Sequence, residues 1–213
     1  PEIDQKVEDL LKQMTVEEKL GYIGGVNWMY TKSIDRLGIH RMKMSDGPQG
    51  LGTNGKSTAY PSTVTLAATW NENLAYQYGK ALGRDCRARN VNVILGPAVN
   101  IYRAPMCGRN FEYMGEDPYL TSRICVGYIK GVQDQGVMAT VKHFVANNSD
   151  YDRNNISNDI DERTLNEIYF PAYKAAIQEA EVGAVMTSYN LMNGIYTTEN
   201  PWLLKEVLRN QWG

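Results

Sequence analysis

The chain has 213 residues, 43% of them hydrophobic, enough to bury a sizeable core in one large or two small domains. A formal net charge of -2 with no basic block gives no support to a nucleic-acid or membrane-surface partner, and no apolar stretch approaches the ~20 residues of a bilayer span. The three cysteines, Cys86, Cys107 and Cys125, lack ligand spacing, which argues for buried or incidental thiols rather than a disulfide framework or a zinc site.

In chain order, Pro1-Glu2-Ile3-Asp4 carries no signal-peptide pattern, but a processed secreted protein would look the same, so the compartment stays open. The spacing of Val7 to Met14 predicts a helix, and Thr15-Val-Glu-Glu18 reads as a capping box opening a second one that ends at Gly24-Gly25. A strand is expected over Met42–Asp46, then a long Gly-, Pro-, Ser- and Thr-rich loop from Gly47 to Thr65. Asn71 caps a helix reaching about Arg89, and Val91–Leu95 forms the next strand. An irregular polar stretch from Pro97 to Pro118 leads to a helix over about 119–135 and a strand over Met138–Val141. A polar loop over 147–161, a helix over about 162–181, a strand over Ala184–Ser188 and a helix opening on Pro201 complete the order.

Strands alternating with helices indicate parallel βα units. About four strands are visible where a closed eight-stranded barrel takes ~250 residues, so the expected fold is α/β, about the first half of a (β/α)8 barrel. Several apolar runs finish on polar groups: Lys142-His143, Ser45-Asp46 and Thr187-Ser188-Tyr189-Asn190. Polar residues at the ends of parallel strands point to a site on that face of the sheet.

Each of these residues also has a plainer explanation. Asp46 in Ser45-Asp-Gly-Pro48 could serve only a turn, Arg109 could pair at the surface with Glu112 or Glu116, and His143 could be a hydrogen-bonded core residue. Lys142 is harder to explain so, because burying an unpaired ammonium is costly. Gly50-Leu-Gly-Thr-Asn-Gly55-Lys56-Ser57 fits the P-loop pattern, and Gly50 to Gly55 fits a dinucleotide-type pattern. Both need a helix directly after the glycines, and Pro61 with no helical face beyond Lys56 argues against one. Asn147-Asn-Ser149 and Asn155-Ile-Ser157 match glycosylation acceptors, a pattern frequent by chance.

Four segments together resemble the ordered signature of glycoside hydrolase family 3, the exo-acting β-glucosidases. They are Ser45-Asp-Gly-Pro-Gln-Gly50, Gly108-Arg-Asn-Phe-Glu112 with Gly115-Glu-Asp-Pro118, Lys142-His-Phe-Val-Ala-Asn-Asn148 and Met186-Thr-Ser-Tyr-Asn190. The resemblance implies a barrel-type N-terminal domain whose strand ends hold the terminal sugar of a β-linked glucoside or short oligosaccharide, without cofactor or metal. Asp46 would then accept from sugar hydroxyls, while Arg109, Lys142 and His143 would hold neighbouring ones. Arg153, by its distance from Lys142-His143, and Tyr189, through Ser-Tyr-Asn, match further positions near the nucleophile.

Two positions depart from the pattern. Gly52 stands where a basic residue often follows, and Cys107 replaces a small residue. Val145-Ala-Asn-Asn148 stands where the hexosaminidase branch carries a Pro-Gly-His-Gly loop, favouring glucosidase or xylosidase activity. The nucleophilic Asp of the family follows Trp-Gly, here Trp212-Gly213, and the acid/base comes from a later domain. By the resemblance, residues 1–213 are the N-terminal part of the barrel domain, with the remaining barrel and a C-terminal αβα domain absent, no catalytic carboxylate in the chain, and the remainder of the polypeptide as its partner. A non-catalytic sugar-binding module and a P-loop nucleotide binder are the competing classes.

Overall fold

The computed structural model describes residues 2–52 and 55–213. Thr53 and Asn54, the middle of the P-loop-like segment, lie outside the described residues. So does Pro1.

Two helices open the chain, α1 (Glu2–Gln13) and α2 (Val16–Gly24), the second started by the expected capping box between Thr15 and Glu18. The first begins five residues before the expected Val7, because Glu2 and Asp4 suit a helical first turn. A central sheet of four parallel strands follows in the order β1 (Met44–Asp46), β2 (Val93–Leu95), β3 (Met138–Phe144), β5 (Ala184–Thr187). The fold is therefore α/β with the strand order of consecutive barrel units. Of the residues expected to open the first strand, Met42 bonds to Thr31 of the preceding segment, while Lys43, bridged to Tyr30, already bonds through its backbone to Asn92 and Val93.

The crossover helices are α4 (Glu72–Ala88), α5 (Pro118–Gln133) and α7 (Pro171–Gln178), with the short α3 (Thr63–Ala67) before α4. No helix follows Lys56 until Thr63, so the residues after the glycines do not form the phosphate cradle that a P-loop requires. Asn71 caps α4 by accepting from the Leu74 amide, and Asp117 caps α5 by accepting from Leu120. Glycine lets α4 and α5 approach closely: a Cβ on Gly131 would lie 2.1 Å from the Tyr76 carbonyl oxygen. Ile94, Ala139 and Val141 of the strands meet Leu82, Ile124 and Ile129 of these helices in the main core. Cys86, Cys107 and Cys125 are buried free thiols.

Two expectations need correction. The helix expected over 162–181 is broken: α6 (Glu162–Thr164) passes into a π-type turn over Leu165–Tyr169 before α7 starts at Pro171. Proline has no amide proton, so it opens a helix rather than continuing one. The polar loop over 147–161 contains β4 (Ser157–Asn158), which pairs with β6 (Leu191–Met192), itself paired to β7 (Ile195–Tyr196) in a second small sheet. A π-type helix (Trp202–Gln211) ends on Trp212, whose ring packs on Phe144 and Phe170. Among the described residues no helix is long and apolar enough to cross a membrane.

Candidate active site

The strand ends carry the sequence motifs to one place. β3 runs three residues beyond the expected Val141, so Lys142 and His143 lie within the strand rather than after it. Its register against β5 slips between Lys142 and Phe144, pairing them with Met186 and Thr187 and leaving His143 as an extra residue. Such a bulge re-aims side chains. Phe144 packs into the aromatic layer with Phe170 and Tyr173, while the His143 ring faces Tyr189 at 6.1 Å and Tyr113 at 6.3 Å.

Asp46 closes β1. Its carboxylate accepts from the Gly47 amide at 2.9 Å, as a turn residue would, and from the Lys142 ammonium at 3.0 Å. The turn role expected of this residue is present, and the same carboxylate also faces the Lys142 ammonium. The following loop is pinned from below, since the Tyr128 and Tyr78 hydroxyls donate to the Pro48 carbonyl at 3.0 and 3.3 Å.

Lys142 is 2% exposed, and its second carboxylate is Glu112, 4% exposed, at 3.4 Å. Asp46 is 52% exposed, so one carboxylate is fully enclosed and the other faces solvent. Two acids around one buried ammonium meet the cost of burying its charge. Glu112 also accepts from Arg109 Nε, so the ion pair foreseen for Arg109 exists, but it is enclosed rather than on the surface. Burial works against the Arg109 charge, yet the Glu112 carboxylate outweighs it and raises the pKa. Glu112 is thus shared between two cations, Lys142 and Arg109.

His143 is held by Asn100, which lies just after β2. Its backbone amide donates to Asn100 Oδ1 at 2.9 Å, and its carbonyl accepts from Asn100 Nδ2 at 3.0 Å and from the Tyr173 hydroxyl at 2.7 Å. Burial, then the nearby charges of Arg109, Lys142 and Arg153, depress its pKa well below the ordinary histidine value. The imidazole is therefore neutral at pH 7.

Arg153 lies with its guanidinium carbon 4.0 Å from the Tyr189 ring centroid and pairs with Asp150 at 3.4 Å. A chain of contacts thus joins Asp46, Lys142, Glu112 and Arg109, and another joins His143, Tyr189 and Arg153. All six residues singled out in the sequence meet at the C-terminal end of the sheet. Glu112 and Asn100 were not among them. Glu112 stood inside the Gly108-Arg-Asn-Phe-Glu112 segment, but Asn100 carries no recognisable pattern. Asn147, a formal glycosylation acceptor, is buried and donates to the Tyr113 hydroxyl at 2.9 Å, which removes it from modification in the folded state.

Chemically, the cluster offers cationic donors (Lys142, Arg109, Arg153), an anionic acceptor (Asp46), a neutral imidazole and an aromatic face. With Glu112 and Asp150 included, three carboxylates face the three cations, so the cluster suits a neutral ligand with many hydroxyls better than an ion. Among the described residues no group of histidine, cysteine and carboxylate side chains is arranged to hold a metal.

The model of the glycosyl hydrolase family 3 N-terminal domain matches residues 12–213. A β-glucosidase of Rhizobium radiobacter is 47% identical over 97% of the chain, which spans 26% of that protein. Thermostable β-glucosidase B of Acetivibrio thermocellus is 45% identical over 97% of the chain and 29% of its own length. The structure of β-glucosidase 3B from Thermotoga neapolitana in complex with α-D-glucose superposes with a TM-score of 0.94 at 40% identity, over 98% of the chain and 32% of that protein.

Proposed function

The chain belongs to glycosyl hydrolase family 3 as its N-terminal domain, and on that premise we propose that it is the sugar-gripping portion of a retaining exo-β-glucosidase acting on terminal, non-reducing β-D-glucose. The observation that carries the reading is the Asp46–Lys142–Glu112–Arg109 network beside His143, which holds donors and acceptors rigidly at the strand ends. Each hydroxyl of a bound pyranose needs a partner, because an unsatisfied one in a closed site costs about 1–3 kcal/mol. Asp46, Arg109, Lys142, His143, Arg153 and Tyr189 are the proposed sugar contacts. The relatives' names and the glucose-bound neighbour support glucosides as the substrate class.

A retaining glycosidase attacks with one carboxylate and protonates the leaving oxygen with another about 5–5.5 Å away. Glu112 is committed to Lys142 and Arg109, and we assign neither role to any acid of residues 1–213. Both carboxylates are proposed to lie beyond Gly213, in the rest of the barrel and a C-terminal αβα domain. The test is hydrolysis of an aryl β-glucoside by the full-length protein and by residues 1–213 alone. Turnover is expected only from the former, and turnover by residues 1–213 would refute the assignment.

A further inference from the structure

Asn100 makes three contacts to one residue, and together they determine which hydrogen-bonding face His143 presents. The backbone N–H of His143 can only donate and its carbonyl can only accept. The 2.9 Å contact from that N–H and the 3.0 Å contact to that carbonyl therefore fix Asn100 with Oδ1 on one side and Nδ2 on the other. The same Oδ1 lies 3.3 Å from the His143 ring nitrogen Nδ1. An amide oxygen cannot donate, so this contact is a hydrogen bond only when Nδ1 carries the proton. A neutral imidazole with its proton on Nδ1 has its lone pair on Nε2.

We propose that Asn100 is a positioning residue which locks His143 as the Nδ1–H tautomer, so that Nε2 is a dedicated acceptor for one hydroxyl of the bound sugar. The acceptor role rests on the pyranose reading above; the tautomer does not.

The surrounding charges explain why such an acceptor is useful. Lys142, Arg109 and Arg153 can only donate, and a ring of donors leaves the hydroxyl protons of a polyol without partners. Asp46 supplies one acceptor, but it already bonds Lys142 and the Gly47 amide. A neutral imidazole nitrogen adds an acceptor without adding an anion that the sugar would have to desolvate. The second bond to the His143 carbonyl, from Tyr173 at 2.7 Å, holds the backbone that orients both Asn100 and the ring. Asn100 is itself buried, so water does not compete for its amide.

The test is nitrogen-15 NMR of the full-length protein labelled at histidine, with the His143 signals identified by their loss in His143→Gln. At pH 7 the expected spectrum has a protonated Nδ1 and a bare Nε2. Added D-glucose should shift the Nε2 resonance towards a hydrogen-bonded nitrogen while the Nδ1 proton stays in place. Asn100→Ala should mix the tautomers and weaken glucose binding about fivefold to tenfold. Asn100→Asp, which keeps an acceptor against Nδ1, should retain the wild-type tautomer. A wild-type His143 protonated on Nε2, or a wild-type tautomer unchanged in Asn100→Ala, would overturn the positioning role. Glucose binding seen by calorimetry with no movement of Nε2 would overturn the acceptor role. No glucose binding at all, with the Nδ1–H tautomer present, would instead take down the pyranose reading and leave the tautomer assignment standing.

Discussion

The Lys142 ammonium donates to the Asp46 carboxylate at 3.0 Å across 96 residues of sequence, tying the end of β1 to the end of β3. Glu112 approaches the same ammonium at 3.4 Å from the intervening loop, but the two acids differ in surroundings. Removing one partner of an enclosed ion pair costs about 3–5 kcal/mol, whereas an exposed pair contributes about 0–1 kcal/mol. Glu112→Ala should therefore lower stability by roughly 3 kcal/mol. Asp46→Asn should change stability by less than about 1 kcal/mol yet weaken glucose binding strongly. Urea unfolding and calorimetry of the two full-length variants separate the outcomes, and equal stability losses would contradict the division.

His143 gives stability a pH dependence whose sign follows from its depressed pKa. Below an unfolded value of 6.5 the unfolded chain takes up a proton that the folded site excludes, so stability is fully present above that pH and falls as pH drops. The slope approaches ~1.4 kcal/mol per pH unit between 6.5 and the folded pKa. His143→Gln should flatten the profile in that window, and an unchanged slope between pH 6.5 and 5 would assign it to other groups.

Helix contact between α4 and α5 depends on absent side chains. Gly131→Ala would place a methyl 2.1 Å from the Tyr76 carbonyl oxygen, a backbone atom that cannot swing aside. The expected loss is about 2 kcal/mol or more. Gly136→Ala, where nothing lies within 4 Å but φ is +71°, should show only the smaller cost of a left-handed backbone. Thermal unfolding of both variants checks the ranking.

Much of this was legible in the sequence for a local reason. Asp46, Lys142 and His143 end apolar runs and Arg109 sits in the polar loop after another, so their place on the C-terminal side of the sheet follows from chain order. Glu112 was visible only as a neighbour of Arg109. Its enclosure and its contact with Lys142 depend on how the segment from Pro97 to Asp117 folds back over the strands, which spacing does not encode. Asn100 acts through a residue 43 positions away and leaves no local trace. The small β4–β6–β7 sheet had one signal, the Asn193-Gly194 turn with φ of 51° and 82°, but its strands are two residues long, too short for alternation to register. Asn193 also bonds both backbone groups of Ile160, a long-range tie that no turn rule anticipates.

A crystal structure of the full-length protein soaked with D-glucose addresses the main claim most directly. The sugar is expected at the C-terminal end of the sheet with hydroxyls within ~2.7–3.2 Å of Asp46, Arg109, Lys142 and His143 Nε2. Glucose bound elsewhere, or bound there without contacting these four side chains, would contradict the assignment.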